Sequence, residues 1–323
     1  MAFDGIVVAN LVHEFRNTLL NGRIAKIAQP ENDELLLTVK APEGQRRLLI
    51  SANASLPLIY LTDTNKPGPI TAPNFCMLLR KHIGGGRIVD IRQPKLERII
   101  CFTVEHLDEM GDLCRKELIV EIMGKHSNII FCTEQGMILD SIKHVSAQMS
   151  SVREVLPGRE YFIPDTMHKA DPLTVSAGEF AGLLSEKPVP ISKALYTSFT
   201  GISPVTAEEI CCLAGIDSSL PAKEYSDDIL LHLYTQFGIY FSSVKEERFS
   251  PAIYYEGKEP KEFSSLPLSH LSNYTCEEHT SISAVLAAYY SKRNQLTRIR
   301  QKSADLRHIV QTALERNCKK YDL

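Results

Sequence analysis

The feature that most restricts the fold of this chain is a run of short β-forming segments between residues 23 and 141, each closed by turn-forming residues. Arg23–Ala28, Leu35–Lys40 and Arg47–Ile50 are separated by Glu31-Asn32-Asp33 and Pro42-Glu43-Gly44. Leu58–Leu61 follows Pro57, and the pattern resumes at Arg87–Arg92, Arg98–Val104, Glu117–Ile122, Asn128–Cys132 and Met137–Ser141. Two helices interrupt this meander. Asp4 precedes apolar residues Val7, Val8, Leu11, Val12, Phe15 and Leu19, which recur at helical spacing until Asn21-Gly22. Pro73 opens a second helix through Phe75–Ile83, and Gly84-Gly85-Gly86 ends it. Strands in meander order with two helices predict an α+β, sandwich-like domain.

The pattern changes at Val145–Arg153, which is Ser-rich and without period. From about Ser176 to Val244 the chain reads as helical. Within it Ile191–Phe199, the short Thr200-Gly201-Ile202-Ser203-Pro204 and Thr206–Leu213 form a helix–hairpin–helix pattern. Ala252–Phe263 reads as a β-hairpin turning at Glu256-Gly257-Lys258 and returning to the first domain. Beyond Ile282 the residues Leu296, Ile299, Ser303, Leu306, Val310, Ala313 and Asn317 alternate at spacings of three and four, a coiled-coil seam. The seam has no partner helix before the chain stops at Leu323, so the chain is expected to be a piece of a longer protein. The expected organisation is an α+β domain over 1–172, an all-α helix–hairpin–helix module over 173–245, a β segment over 246–280 and the first arm of a coiled coil over 281–323.

A net charge of −3 hides basic ends and an acidic middle. Residues 1–100 carry 13 Lys and Arg against 9 Asp and Glu, and residues 289–323 carry nine against three. Such ends suit a polyanion, although solvated helix faces explain the same charges. The eight cysteines form no CxxC pair, which argues against zinc, and those in apolar runs are expected to behave as small buried hydrophobes. No apolar run approaches the roughly 20 residues that span a bilayer, and the start lacks a signal-peptide pattern, so a cytoplasmic protein without a membrane partner is expected.

Catalytic signatures fail on inspection. Gly124-Lys125-His126-Ser127 ends like a phosphate-binding loop, but position 119 is Ile where that loop needs Gly. His13-Glu14 lacks the second His of a zinc protease, and neither GxSxG nor GxGxxG occurs. The chain is therefore not expected to be an enzyme, nor to use a metal, a cofactor or a small-molecule substrate.

What remains is a set of strings: Ala2-Phe3-Asp4-Gly5, Phe75-Cys76-Met77-Leu78-Leu79-Arg80-Lys81-His82, Glu97-Arg98-Ile99-Ile100, Glu121-Ile122-Met123-Gly124-Lys125-His126-Ser127-Asn128-Ile129, Gly201-Ile202-Ser203-Pro204 and Ile253-Tyr254-Tyr255. In this order the chain resembles the NFACT family over essentially its whole length. The resemblance implies a protein that binds a large ribosomal subunit blocked by peptidyl-tRNA and recruits tRNA, alanine-specific in the bacterial branch. The stalled chain then gains a C-terminal tail that marks it for proteolysis. The family's NFACT-R domain and second coiled-coil arm are absent from the sequence.

The family's tRNA-engaging acidic–Arg pair falls on Glu97 and Arg98, with Glu where Asp is commoner, and an early acidic position falls on Asp4. An arginine fork suits a phosphate or base edge, and a neighbouring carboxylate can orient it; as plain alternatives, Asp4 caps its helix and Glu97-Arg98 closes a turn. Arg80, Lys81, His82, Lys125, His126, Ser127, Asn128, Gly201, Arg298 and Arg300 are candidates for RNA-backbone contact. Against this, the first three offset a helix dipole, Lys125–Asn128 satisfies its own amides, and the hairpin with only Gly201 serves as a packing module. Bacterial members are also known as fibronectin-binding proteins, which leaves a surface adhesin as a rival. A second rival is a DNA-glycosylase-like binder, because the family's N-domain is similar in fold to that of formamidopyrimidine-type glycosylases. Those enzymes use an N-terminal Pro amine beside a Glu, whereas positions 2–4 here are Ala, Phe and Asp.

Overall fold

The computed structural model describes residues 3–165, 167–292, 307, 310–312 and 314. Helix α1 (Gly5–Leu19) buries Val7, Val8, Leu11, Val12, Phe15 and Leu19, the apolar positions of its sequence repeat. Among the described residues, β1 (Arg23–Glu31), β2 (Glu34–Ala41), β3 (Gly44–Ser51), β4 (Leu58–Leu61), β5 (Arg87–Arg92), β6 (Ile99–Leu107), β7 (Leu113–Glu121), β8 (Asn128–Thr133) and β9 (Ile138–Ser141) form one antiparallel sheet in the order β4-β3-β2-β1-β5-β6-β7-β8-β9. It consists of two meanders set edge to edge. Their joint is narrow, with Arg23 opposite Arg87 and two backbone bonds between Ile24 and the Gly85-Gly86 turn. Helix α2 (Asn74–Ile83) lies on the link between the meanders, and Arg80 Nε fixes it to β1 through the Ile27 carbonyl at 2.8 Å.

One face of both meanders shares a core with α1 and α2, in which the rings of Phe15 and Phe102 meet tilted, with centroids 6.1 Å apart. Each such fully buried aliphatic or aromatic side chain contributes about 1.5–3 kcal/mol. The other face is covered only in part. Residues 145–163 lie over Ile99, Cys101, Ile119, Ile130 and Cys132, whereas Ala28, Leu36 and Leu49 form just a small patch on β1–β3. The segment over 145–163 is pinned by charge. Glu121 is wholly buried, and Arg153 donates to both its oxygens while Tyr161 donates its hydroxyl at 2.9 Å.

The rest of the chain forms two groups. Helices α3 (Ala177–Leu184), α4 (Ile191–Ser198), α5 (Pro204–Leu213) and α6 (Asp227–Lys245) enclose Phe180, Phe199, Phe237 and Phe241. Strands β10 (Ala252–Glu256), β11 (Glu259–Ser264) and β12 (Thr275–Glu278) form a second sheet, the last without a sequence signal. Ile253, Tyr255 and Phe263, with Ile282, Val285 and Leu286 of a helix over 282–292, join the α1 core. The heptad positions, except an exposed Val310, lie outside the described residues, as do Arg298 and Arg300. Cys101 and Cys132, in the apolar runs Ile99–Phe102 and Ile129–Cys132, are buried as expected. Cys76 and Cys211 are buried too, whereas Cys212 on α5 and Cys276 on β12 are exposed because they fall on positions that face solvent. No helix among the described residues is long and apolar enough to cross a membrane.

Removing Arg153 would leave a buried carboxylate without its counter-charge, so Arg153→Ala is expected to cost about 3–5 kcal/mol in denaturant unfolding. Tyr161→Phe, which removes one hydrogen bond to the same carboxylate, should cost only about 1–2 kcal/mol.

Candidate nucleic-acid interface

The sequence strings that lie far apart along the chain meet at the N-terminal end of α1. Asp4 Oδ1 accepts the backbone N–H groups of Ile6 and Val7 at 3.0 and 3.1 Å, capping the helix. Its other oxygen accepts the hydroxyls of Ser203 and Thr206, both at 2.8 Å, where Ser203 caps α5. One carboxylate thus ties the first turns of two helices together. Gly5 donates its N–H to the Gly201 carbonyl at 3.0 Å, and the backbones approach so closely that an added Cβ on Gly5 would sit 2.1 Å from the Leu96 oxygen. Gly201 has φ of 78°, and its own Cβ would lie 2.5 Å from that same oxygen. Only glycine fits either position.

This contact holds the loop over 93–98, between β5 and β6, that carries Glu97 and Arg98. Gln93 Nε2 donates to the carbonyls of Gly5 and Glu97, both at 2.8 Å, and Leu96 is buried beside Ile6 in the helical core. Both side chains of the acidic–Arg pair are half-buried, and neither makes a hydrogen bond or ion pair among the described residues. Burial pushes the Glu97 carboxyl up, while Arg98, Lys169 and Lys95 oppose the shift. Lys169 is half-buried too; burial and then Arg98 pull its ammonium down, and it donates to the Tyr196 carbonyl at 2.8 Å. Arg98 accepts through its carbonyl from the Ile122 N–H at 2.8 Å, so the turn after β7, with exposed Lys125 and His126, lies alongside.

The structure therefore gathers Glu97, Arg98, Lys125 and His126 at one end of the sheet and adds Lys95 and Lys169. The remaining candidates are placed elsewhere. Asp4 is buried, its oxygens occupied and its carboxyl held above the usual aspartate range by desolvation. Gly201 is consumed by packing against Leu96. Ser127 accepts from the Met123 N–H at 2.8 Å, and Asn128 ties Lys143 to the turn, so both face inward. Arg80, Lys81 and His82 sit at the C-terminal end of α2, near the start of β5. There Lys81 pairs with Glu109 at 2.8 Å and burial lowers His82. Lys169 carries no signal in an irregular segment, and the Ser203–Asp4 link, though Ser203 before Pro204 reads as a cap, joins positions 199 residues apart.

A half-buried guanidinium beside a carboxylate, both without hydrogen-bond or ion-pair partners among the described residues and rimmed by amines, can take a phosphate or a base edge bidentately. The glycine contact makes this presentation testable. Gly5→Ala and Gly201→Ala should each cost more than about 2 kcal/mol, since rigid backbone must move. Gly257→Ala, at φ of 61° with open space around it, should cost only about 1–2 kcal/mol in the same thermal melts.

The family model for the NFACT N-terminal and middle domains matches residues 4–323. The chain is 35% identical over 322 residues to the Rqc2 homolog RqcH of Bacillus subtilis, covering 99% of this chain and 54% of that protein. It is 23% identical over 171 residues to the human ribosome quality control complex subunit NEMF, covering 53% of this chain and 15% of that protein. The N-terminal part of the fibronectin/fibrinogen-binding protein from Streptococcus suis superposes with a TM-score of 0.74 at 32% identity, over 90% of this chain and 99% of that one. The chain spans about half the length of the bacterial relative. By its sequence and its fold, the chain belongs to the NFACT family.

Proposed function

We propose that the full protein acts in ribosome quality control: it binds large ribosomal subunits obstructed by peptidyl-tRNA and recruits tRNA, of the alanine class, for C-terminal alanine tailing. The observation that carries this reading is the Glu97–Arg98 pair, held on a clamped loop with neither side chain engaged among the described residues. The names of relatives in bacteria and human support the setting. Arg98 grips a tRNA phosphate or base edge, Glu97 accepts from a base amine, and Lys169, Lys125 and His126 meet neighbouring phosphates. Peptide-bond chemistry belongs to the ribosome, so the protein works as a cytoplasmic recruiter and not as an enzyme. The α4–α5 pair acts as a helix–hairpin–helix whose turn braces the loop, and the C-terminal stretch forms one arm of a coiled coil.

A second reading, adhesion to fibronectin, is favoured by the name of the Streptococcus suis protein. Fibronectin capture by intact cells, lost on deletion of the gene and restored by Arg98→Ala, would support it independently of tailing.

Arg98→Ala should abolish tails on a non-stop reporter while changing stability by no more than about 0.5 kcal/mol, because the side chain has no described partner to lose. Glu97→Asp should tail nearly normally and Glu97→Ala poorly. Normal tailing by a folded Arg98→Ala protein removes the assignment. Acid adds a further check. With the Glu97 carboxyl raised above 4.5, protonation begins at a higher pH than for a free glutamate. Transfer-RNA affinity should therefore fall as pH drops towards that raised value, and Glu97→Gln should flatten the dependence.

A further inference from the structure

The basic excess of the first hundred residues is not spread evenly over the surface. On the sheet face opposite the main core, Arg23 stands directly across from Lys40 on one side and Arg87 on the other. One step along the strands, Lys26 and Arg47 flank Thr38, each directly opposite it. A bulge between Ile24 and Lys26 brings Lys26 onto this face, since Ile24 points into the core and an uninterrupted strand would turn Lys26 inward as well. Two adjacent rows thus hold five cations across four strands. At about 4.8 Å between strands, the first row spans about 10 Å.

Among the described residues, four of them have no ion-pair partner. Arg87 pairs with Glu105 at 2.8 Å, but Arg23, Lys26, Lys40 and Arg47 form no ion pair among the described residues. Two of the four are aimed by the backbone: Arg23 Nη1 donates to the Gly85 carbonyl at 3.2 Å and Arg47 Nη1 to the Asp63 carbonyl at 3.1 Å. Like charges facing each other across strands destabilise a sheet. The segment that covers the other half of this face stops short of them, since its contacts lie on β6–β9. A surface on which Arg23, Lys26 and Lys40 are exposed and Arg47 is half-buried, and which carries opposed cations at its own cost, is suited to a regularly spaced polyanion.

We propose that this face of β1–β3 and β5 is a second RNA-docking surface, which takes the phosphate backbone without reading bases. It lies at the opposite end of β5 from the Glu97–Arg98 loop, about 20 Å away for a six-residue strand. One RNA, or two neighbouring RNA segments of a large assembly, can be held at both ends of the strand. The surface supplies affinity and the loop supplies selection. The inference does not rest on the role of Arg98, because its contacts and its geometry are separate.

The test uses the full-length protein and a 20-base-pair RNA duplex of arbitrary sequence, titrated by fluorescence anisotropy across a salt series. Arg23→Gln/Lys26→Gln/Lys40→Gln/Arg47→Gln should weaken binding at least about 10-fold at 0.1 M salt. It should also reduce the slope of log K against log salt by about two to three, since each lost phosphate contact removes about one. Neutralising Lys223 and Lys258, exposed on other elements, should leave the slope unchanged. If the quadruple variant is unstable, Lys26→Gln/Lys40→Gln, which removes only unbonded side chains, should still lower the slope by more than about one. Arg98→Ala should leave this duplex binding intact, so failure of the loop assignment and failure of this one give different patterns. An unchanged slope in a variant that melts like the parent overturns the proposal. So does unchanged RNA binding with lost binding to phosphatidylserine vesicles, which would make the face a membrane contact.

Discussion

Three backbone segments pass within van der Waals distance of one another at Gly5, Leu96 and Gly201, and the placement of the candidate interface depends on that crossing. A side chain at either glycine would force apart the first turn of α1, the loop over 93–98 and the turn between α4 and α5. The carboxylate of Asp4 works on the same joint from one residue away, satisfying two orphan amides of α1 and two hydroxyls at the start of α5. Helix capping and domain docking are here a single event. Because four hydrogen bonds converge on one buried acid, the residue that caps α1 also fixes where the helical group sits. The loop bearing Arg98 inherits its position from both.

That arrangement divides labour among the polar residues. Asp4, buried in the joint, has both its oxygens occupied internally, and Gln93 spends both its amide hydrogens on backbone carbonyls of the joint. Glu97 and Arg98 are partly desolvated, and their side chains are unfilled among the described residues. Desolvation raises the strength of any bond they form with a ligand, because less water must be displaced when it arrives. Lys169 sharpens this, since an ammonium already tied to the Tyr196 carbonyl loses little freedom on meeting a phosphate.

Much of the scaffold was legible in the sequence because it is local. Alternating aliphatic runs between Asn, Asp, Gly and Pro clusters gave the meander strands within a few residues, and Asp4 announced its helix as a cap. Long-range pairing was not legible. Glu121 reads as the polar end of a strand, and only the fold brings Arg153 and Tyr161 to it. The string Lys125-His126-Ser127-Asn128 shows no sign that its first two residues face solvent and its last two the interior. That split comes from a one-turn helix over Gly124–His126, opened by a left-handed glycine. The strand β12 lacks apolar alternation altogether, since all four of its residues are exposed and backbone pairing with β10 alone defines it.

Lys95 sits in the same loop with φ of 49°, a left-handed conformation that favours glycine or asparagine and costs a lysine about 1 kcal/mol. The loop turns there because Glu97 donates its N–H back to the Pro94 carbonyl at 3.0 Å. Asparagine would make the same turn with less strain, but it would remove a positive charge that lowers the proton affinity of Glu97. The bend is thus a point where conformational ease and electrostatic tuning pull in opposite directions. Along a lineage, the residue at position 95 becomes a gauge of how much local strain is tolerated to keep the neighbouring carboxylate ionised.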